Sequence, residues 1–159
     1  MIEKRKIFSS IDNRGEFKKV YDSIDLFQLN TVKEIFISKS SKNTLRGMHF
    51  QTKPYELNKI VVCLKGRVLD VIVNIDKQSK EFGKCIFTEL IENDSIFVSK
   101  NYAHGFYCYE DSTLLYITDN IYSKEYESGV LWNSLDFNWP IKNPIISKRD
   151  KLLNKINEL

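Results

Sequence analysis

The stretch Lys59-Ile60-Val61-Val62-Cys63-Leu64-Lys65-Gly66-Arg67-Val68-Leu69-Asp70-Val71-Ile72-Val73-Asn74 decides the fold class. Its two apolar runs are rich in Val and Ile and broken only by Lys65-Gly66. β-branched side chains suit a pleated, half-buried surface, and each run has strand length rather than helix length. The stretch predicts two strands, and the short Lys-Gly break reads as a hairpin.

Similar segments recur on both sides. Val32–Ile37, Cys85–Leu90, Asp94–Val98, Gly105–Tyr109 and Thr113–Thr118 all read as strands, divided by turn signals such as Glu92-Asn93 and Asp111-Ser112. Strands at this spacing, without strand–helix alternation, point to a β-sandwich, jelly roll or barrel. Two helical segments are expected. One is a short turn near Asp22–Leu29. The other is C-terminal: Ser147 and Asp150 form a capping box, followed by Leu152, Leu153, Ile156 and Leu159 at helical spacing.

The composition narrows the chemistry. The chain has 159 residues, the length of one domain, and residues 1–159 are read as a single unit. Its net charge is +3, with Lys and acidic residues interspersed, so a solvated surface is expected rather than a nucleic-acid groove. No apolar run approaches a transmembrane length, and the first fifteen residues lack the apolar core of a signal peptide. Cys63, Cys85 and Cys108 lie in apolar stretches at irregular spacing and read as buried, reduced thiols. A cytoplasmic protein without membrane contact is the expectation.

Two histidines, His49 and His104, limit metal chemistry. Gly47 and Gln51 stand two residues either side of His49, so the His-x-His pair of metal-binding cupins is missing. No metal is expected. No Gly-x-Ser-x-Gly, Walker or Gly-x-Gly-x-x-Gly motif occurs, so nucleophile-elbow, nucleotide-triphosphate and dinucleotide chemistry are disfavoured. Acid–base chemistry without a cofactor remains, with His as the base and Lys, Tyr and Arg in support. In a regular strand, Gly47, His49 and Gln51 would share one face, and Arg46, Met48 and Phe50 the other. Taken alone, His49 fits a plain hydrogen-bonded histidine as well as a ligand contact. Gly105, next to His104, fits either a close ligand approach or a turn.

The motifs together resemble a known family. Asp12-Asn13-Arg14-Gly15-Glu16-Phe17, Leu45-Arg46-Gly47-Met48-His49-Phe50-Gln51, Lys59-Ile60-Val61 and Gly66–Val73 are followed by Tyr102-Ala103-His104-Gly105-Phe106. Tyr116 through Tyr122, Asn138-Trp139-Pro140 and Ile146-Ser147-Lys148-Arg149-Asp150 complete the set. In this order the pieces resemble the dTDP-4-dehydrorhamnose 3,5-epimerase family across nearly the whole chain. The resemblance implies an all-β, cupin-like jelly-roll sandwich with a short C-terminal helix. It implies a cofactor-free enzyme that inverts C3, C5 or both of a nucleotide-diphosphate 4-keto-6-deoxy sugar. It also implies a homodimer in which N-terminal strands are exchanged, so that the Arg14 region reaches the partner's site.

Site residues follow from the same resemblance. His49 resembles the catalytic base, Asp150 its carboxylate partner, Tyr116 the acid on the opposite sugar face, and Lys59 the cation at the ketone oxygen. Arg14, Phe17, Arg46, Gln51, His104 and Tyr122 resemble substrate contacts. The family's nucleotide-base contacts are altered: Lys19, Glu34 and Phe36 stand where the pattern has Glu and a Gln-x-Asn pair. That departure points to a nucleotide other than dTDP, to a single-centre epimerase, or to a different 4-keto sugar. A 3,4-ketoisomerase and a non-catalytic sugar-binding cupin are the competing readings. Convergence of His49, Lys59, Tyr116 and Asp150 on one pocket would discriminate against the binding module.

Overall fold

The computed structural model describes residues 3–22 and 29–159. The strands are β1 (Lys4–Lys6), β2 (Phe8–Asp12), β3 (Gly15–Lys19), β4 (Glu34–Ser40), β5 (Leu45–Gln51) and β6 (Lys59–Lys65). Then come β7 (Arg67–Asn74), β8 (Cys85–Ile91), β9 (Asp94–Val98), β10 (Tyr102–Cys108), β11 (Ser112–Thr118) and β12 (Glu127–Gly129). Two five-stranded antiparallel sheets result, ordered β1-β9-β6-β11-β4 and β12-β5-β10-β7-β8, with β2-β3 as a separate hairpin. From β4 to β12 the chain crosses between the sheets at every step except β7 to β8.

This corrects the hairpin expected at Lys65-Gly66. β6 and β7 belong to different sheets, and Gly66 is the corner between them. Its φ is +90°, and a Cβ there would lie 2.4 Å from Ser112 Oγ and 2.6 Å from the Asp111 carbonyl oxygen. Only glycine fits so tight a corner.

The core explains why the strands look apolar on both faces. Val61, Ile72, Leu90, Ile96, Phe106, Leu114 and Tyr116 meet between the sheets. Ile60, Val62, Leu115 and Ile117 face outward from the first sheet under Ile7, Val20, Tyr21 and Leu29. Met48, Leu69, Val71, Val73 and Ala103 face outward from the second, under Leu135, Phe137, Trp139, Ile156 and Leu159. With both sheets covered on both sides, alternation fades into runs such as Val68–Asn74, which is buried throughout.

The C-terminal helix expected from Ser147 onward does not form. Only the 3-10 turns Asp150–Leu152 and Ile156–Glu158 occur there. Ser147 Oγ does accept the Asp150 N–H at 3.0 Å, as a cap would. The Asp150 carboxylate, however, bonds into the barrel, Leu153 turns extended, and Leu152 is 83% exposed. The apolar stripe is therefore buried in pieces: Ile156 and Leu159 lie against the second sheet, and Leu152 points to solvent. The other helical expectation falls at residues 23–28, outside the described residues. Cys63 and Cys108 are buried as expected, whereas Cys85 is half-buried. Burial pushes the thiols up, to about 12 for Cys63 and about 11 for Cys85 and Cys108, so all three stay protonated. No helix among the described residues is long and apolar enough to cross a membrane.

Candidate active site

A cavity of about 630 Å³ opens between the two sheets, within the usual range for small-molecule sites. His49, His104 and Arg46 come from the second sheet, while Lys59 and Tyr116 come from the first. Gln51, Tyr122, Phe36, Glu34, Glu127 and Arg149 complete much of the wall.

The arrangement depends on an irregularity in β5. His104 pairs with His49 and Phe106 with Arg46, so two steps on β10 span three on β5. This bulge lets Arg46 and His49 line the same cavity, although regular alternation puts them on opposite faces. Met48, between them, is fully buried on the far side. Gly47, with φ +122°, makes the bulge fit: a Cβ there would lie 2.5 Å from Gly105 Cα. Gly105 is thus neither a turn nor a ligand-approach glycine. It lies inside β10, where its missing side chain admits Met48 and Gly47.

His49 Nε2 lies 2.9 Å from Asp150 Oδ1. The other carboxylate oxygen accepts the Gly47 N–H at 3.3 Å. Burial works to raise the Asp150 pKa, but His49, the Gly47 N–H and the Ser147 hydroxyl outweigh it and hold the carboxyl at about 2. Asp150 is therefore an anion at any ordinary pH and orients the imidazole.

A second pair, absent from the sequence reading, lies beside the first. His104 Nε2 is 2.8 Å from Asp70 Oδ2, and both residues are buried. Asp70 Oδ1 has no hydrogen-bond partner among the described residues. The signal was present: Asp70 is the one charged residue inside a strand otherwise apolar from Val68 to Val73, and a buried charge needs a partner.

The opposite wall carries the Lys and the Tyr. Lys59 is half-buried, and no hydrogen bond or ion pair holds its ammonium among the described residues. Burial pulls it down to about 8, against the charges of Asp70 and Glu127, which pull it up. Tyr116 is buried, stacks on Phe36 at 4.8 Å between centroids, and meets His104 edge-on at 6.3 Å. Ser38 Oγ donates a long 3.5 Å contact to its hydroxyl. Burial pushes the phenol up, so it stays protonated and able to donate.

The remaining candidates divide. Arg46 lies in the wall, where Nε donates to Ser40 Oγ at 2.8 Å. Tyr122 is half exposed, and its hydroxyl donates to Glu127 Oε2 at 2.7 Å. Gln51 is in the wall, but its amide is taken up: Nε2 donates to the Tyr55 and Ile121 carbonyls, and Oε1 accepts the Ser123 N–H. It ties two loops together and leaves little for a ligand. Arg14 and Phe17 lie outside the cavity, on the β2–β3 hairpin. Arg14 pairs with Asp12 at 2.6 Å, and Phe17 packs edge-on against Phe8 while 61% exposed.

A jelly roll with two His–carboxylate pairs facing a Lys and a Tyr across one cavity is a cupin-like sandwich whose site can move protons. The family model for dTDP-4-dehydrorhamnose 3,5-epimerase matches residues 2–158. The chain is 36% identical to the dTDP-4-dehydrorhamnose 3,5-epimerase of Shigella flexneri, over 94% of this chain and 87% of that one. The crystal structure of the enzyme from Sulfolobus tokodaii superposes with a TM-score of 0.90 at 36% identity, covering 99% of this chain and 91% of the other. The Bacillus anthracis enzyme, solved with TDP and PPi bound, gives a TM-score of 0.88 at 30% identity, covering 97% and 93%. The chain belongs to the dTDP-4-dehydrorhamnose 3,5-epimerase family. It is an isomerase, an epimerase acting on carbohydrates.

Proposed function

We propose that the chain, acting as one catalytic domain, inverts C3, C5 or both of a nucleotide-diphosphate 4-keto-6-deoxy sugar held between the two sheets. His49 removes the proton from the carbon beside the C4 ketone. Asp150 fixes the imidazole and stabilises the imidazolium that forms. As the C–H bond breaks, negative charge grows on the ketone oxygen. Lys59 and the His104–Asp70 pair supply the stabilising charge and hydrogen bond, typically the largest electrostatic contribution. Tyr116 then delivers a proton to the same carbon from the other side, and the centre is inverted. The observation that carries this reading is the division of the cavity: the base stands on one sheet and the phenol on the other. The reaction is redox-neutral, and proton transfers alone accomplish it.

Arg46 and Tyr122 serve as substrate contacts in the same cavity. The β2–β3 hairpin is read as reaching a second copy in a homodimer, which brings Arg14 and Phe17 to the partner's site. Its exposed Phe8, Ile11 and Phe17 support that reading. A cytoplasmic setting follows from the soluble nucleotide sugar.

A second reading concerns the nucleotide. Glu34 and Phe36 both line the cavity, and Phe36 is stacked on Tyr116, where the family pattern has Gln and Asn. This favours a nucleotide other than dTDP. Offering dTDP-, CDP-, GDP- and UDP-linked 4-keto-6-deoxy sugars in deuterated water tests both readings. Deuterium entering C3 or C5 of one of them supports the epimerase. Incorporation with the dTDP sugar alone removes the second reading, and none with any sugar removes the first.

A further inference from the structure

The wall around Tyr116 carries two side chains, Glu34 and Phe36, with no task in the proton transfers just described. In the first sheet Phe36 pairs with Tyr116, and Thr118 pairs with Lys59 on one side and Glu34 on the other. Lys59, Tyr116, Glu34 and Phe36 all line the cavity. Strand alternation accounts for this: 34 and 36, like 116 and 118, stand two residues apart and share a face. Neighbouring strands lie about 4.8 Å apart, so the Glu34 backbone is about 10 Å from that of Lys59, and the Phe36 backbone about 5 Å from that of Tyr116. The two side chains thus stand beside the group at the ketone oxygen and the group that returns the proton. They bear on the sugar ring, whichever nucleotide carries it.

Their chemistry is mixed. Glu34 Oε2 accepts the Tyr122 N–H at 2.9 Å, and Oε1 makes no hydrogen bond or ion pair among the described residues. A carboxylate oxygen can only accept, so in a filled cavity it needs a donor from the ligand. One face of the Phe36 ring is taken by Tyr116 at 4.8 Å, yet the residue is 45% exposed and offers the cavity an apolar surface. A hydroxyl group would satisfy Glu34 and leave Phe36 wet, and a methyl group would do the reverse. An acylated amine does both: its N–H donates to the carboxylate, and its acyl methyl covers the ring.

A 4-keto-6-deoxy sugar leaves one place for such a group. C1 carries the nucleotide, C4 the ketone and C6 the methyl, while C3 and C5 are the centres open to inversion. C2 remains. We infer that the substrate is a 2-acylamino-2,6-dideoxy-4-keto sugar, with its N–H bonded to Glu34 and its acyl group packed on Phe36. The inference rests on the reading of the cavity as the site of a nucleotide-linked 4-keto sugar with Lys59 at the ketone.

Equilibrium binding separates this inference from the chemistry. Nucleotide-linked 6-deoxyglucose and its 2-acetamido analogue differ only at C2, and neither has a ketone, so neither reacts. Calorimetry is run with both sugars in the UDP and the dTDP series. On the nucleotide that binds, wild type is expected to hold the acetamido sugar at least about tenfold more tightly, the scale of one hydrogen bond to a charged group. Glu34→Met removes the acceptor and Phe36→Asn the apolar surface. Each should bring the two affinities toward parity while 6-deoxyglucose still binds. Equal affinities in wild type, tighter binding of the 2-hydroxy sugar, or binding of none of the four overturns the inference. So does a preference that survives both substitutions. Should Glu34→Met not fold, Phe36→Asn decides by the same criterion. The preference can fail while deuterium still enters a 4-keto sugar, and exchange can fail while the preference stands, so the inference and the epimerase reading are judged separately.

Discussion

Asp150 approaches His49 Nε2 at 2.9 Å from 101 residues away along the chain. One pair thus ties the last turns of the chain to the second sheet, and it couples stability to the site. The carboxyl is held at about 2, against 3.8 in an unfolded chain. A depressed carboxyl contributes stability that is present above its unfolded pKa and is lost as pH falls through the folded one. We expect wild type to lose on the order of 2 kcal/mol between about pH 4 and pH 2 through this group. In Asp150→Asn that part of the acid limb should be missing from denaturant titrations. The same variant should lower kcat roughly 10²–10⁴-fold, because the imidazole loses the anion that orients it.

Lys59 sets the alkaline side. Its ammonium is pulled down to about 8, so the charge that would meet the enolate oxygen is lost as pH rises through that value. The kcat profile should fall above about pH 8. Lys59→Met should remove this limb and slow turnover at every pH.

Asp70 offers a finer version of that experiment. Its charge opposes the fall of the Lys59 pKa, so Asp70→Asn should move the alkaline limb to lower pH. The variant also replaces the carboxylate beside His104 with a neutral amide. An alkaline limb that stays in place would separate Asp70 from Lys59.

Tyr116 and His49 should be distinguishable by product. Tyr116→Phe keeps the ring stacked on Phe36 but removes the proton donor. It is expected to retain exchange of the acidic proton with deuterated water and to lose inversion by roughly 10²–10⁴-fold, the usual worth of one positioned acid.

Much of this was legible in the residues. β7 and β9 begin and end as their apolar runs do, and both histidines reached one cavity. What was hidden is instructive. The Lys65-Gly66 break looks like a hairpin because local sequence encodes the turn, whereas the choice of sheet on its far side depends on contacts with Asp111 and Ser112. The faces of β5 were misassigned at Arg46 because a bulge leaves no local signature beyond Gly47, whose counterpart Gly105 is 58 positions away. The C-terminal stripe had helical spacing, but Ile156 and Leu159 reach the second sheet from a 3-10 turn and the chain end, with Leu153 extended before them. Gln51 lies beside His49 as expected, yet its amide serves the chain rather than the cavity.

The central claim is that His49 removes a proton from carbon beside a ketone. The most direct test incubates wild type and His49→Ala with the nucleotide 4-keto-6-deoxy sugar in deuterated water and follows C3 and C5 by NMR. The expected result is deuterium at the inverted centre with wild type and incorporation reduced at least about 10²-fold with His49→Ala. Incorporation by His49→Ala at a rate near that of wild type would contradict the account.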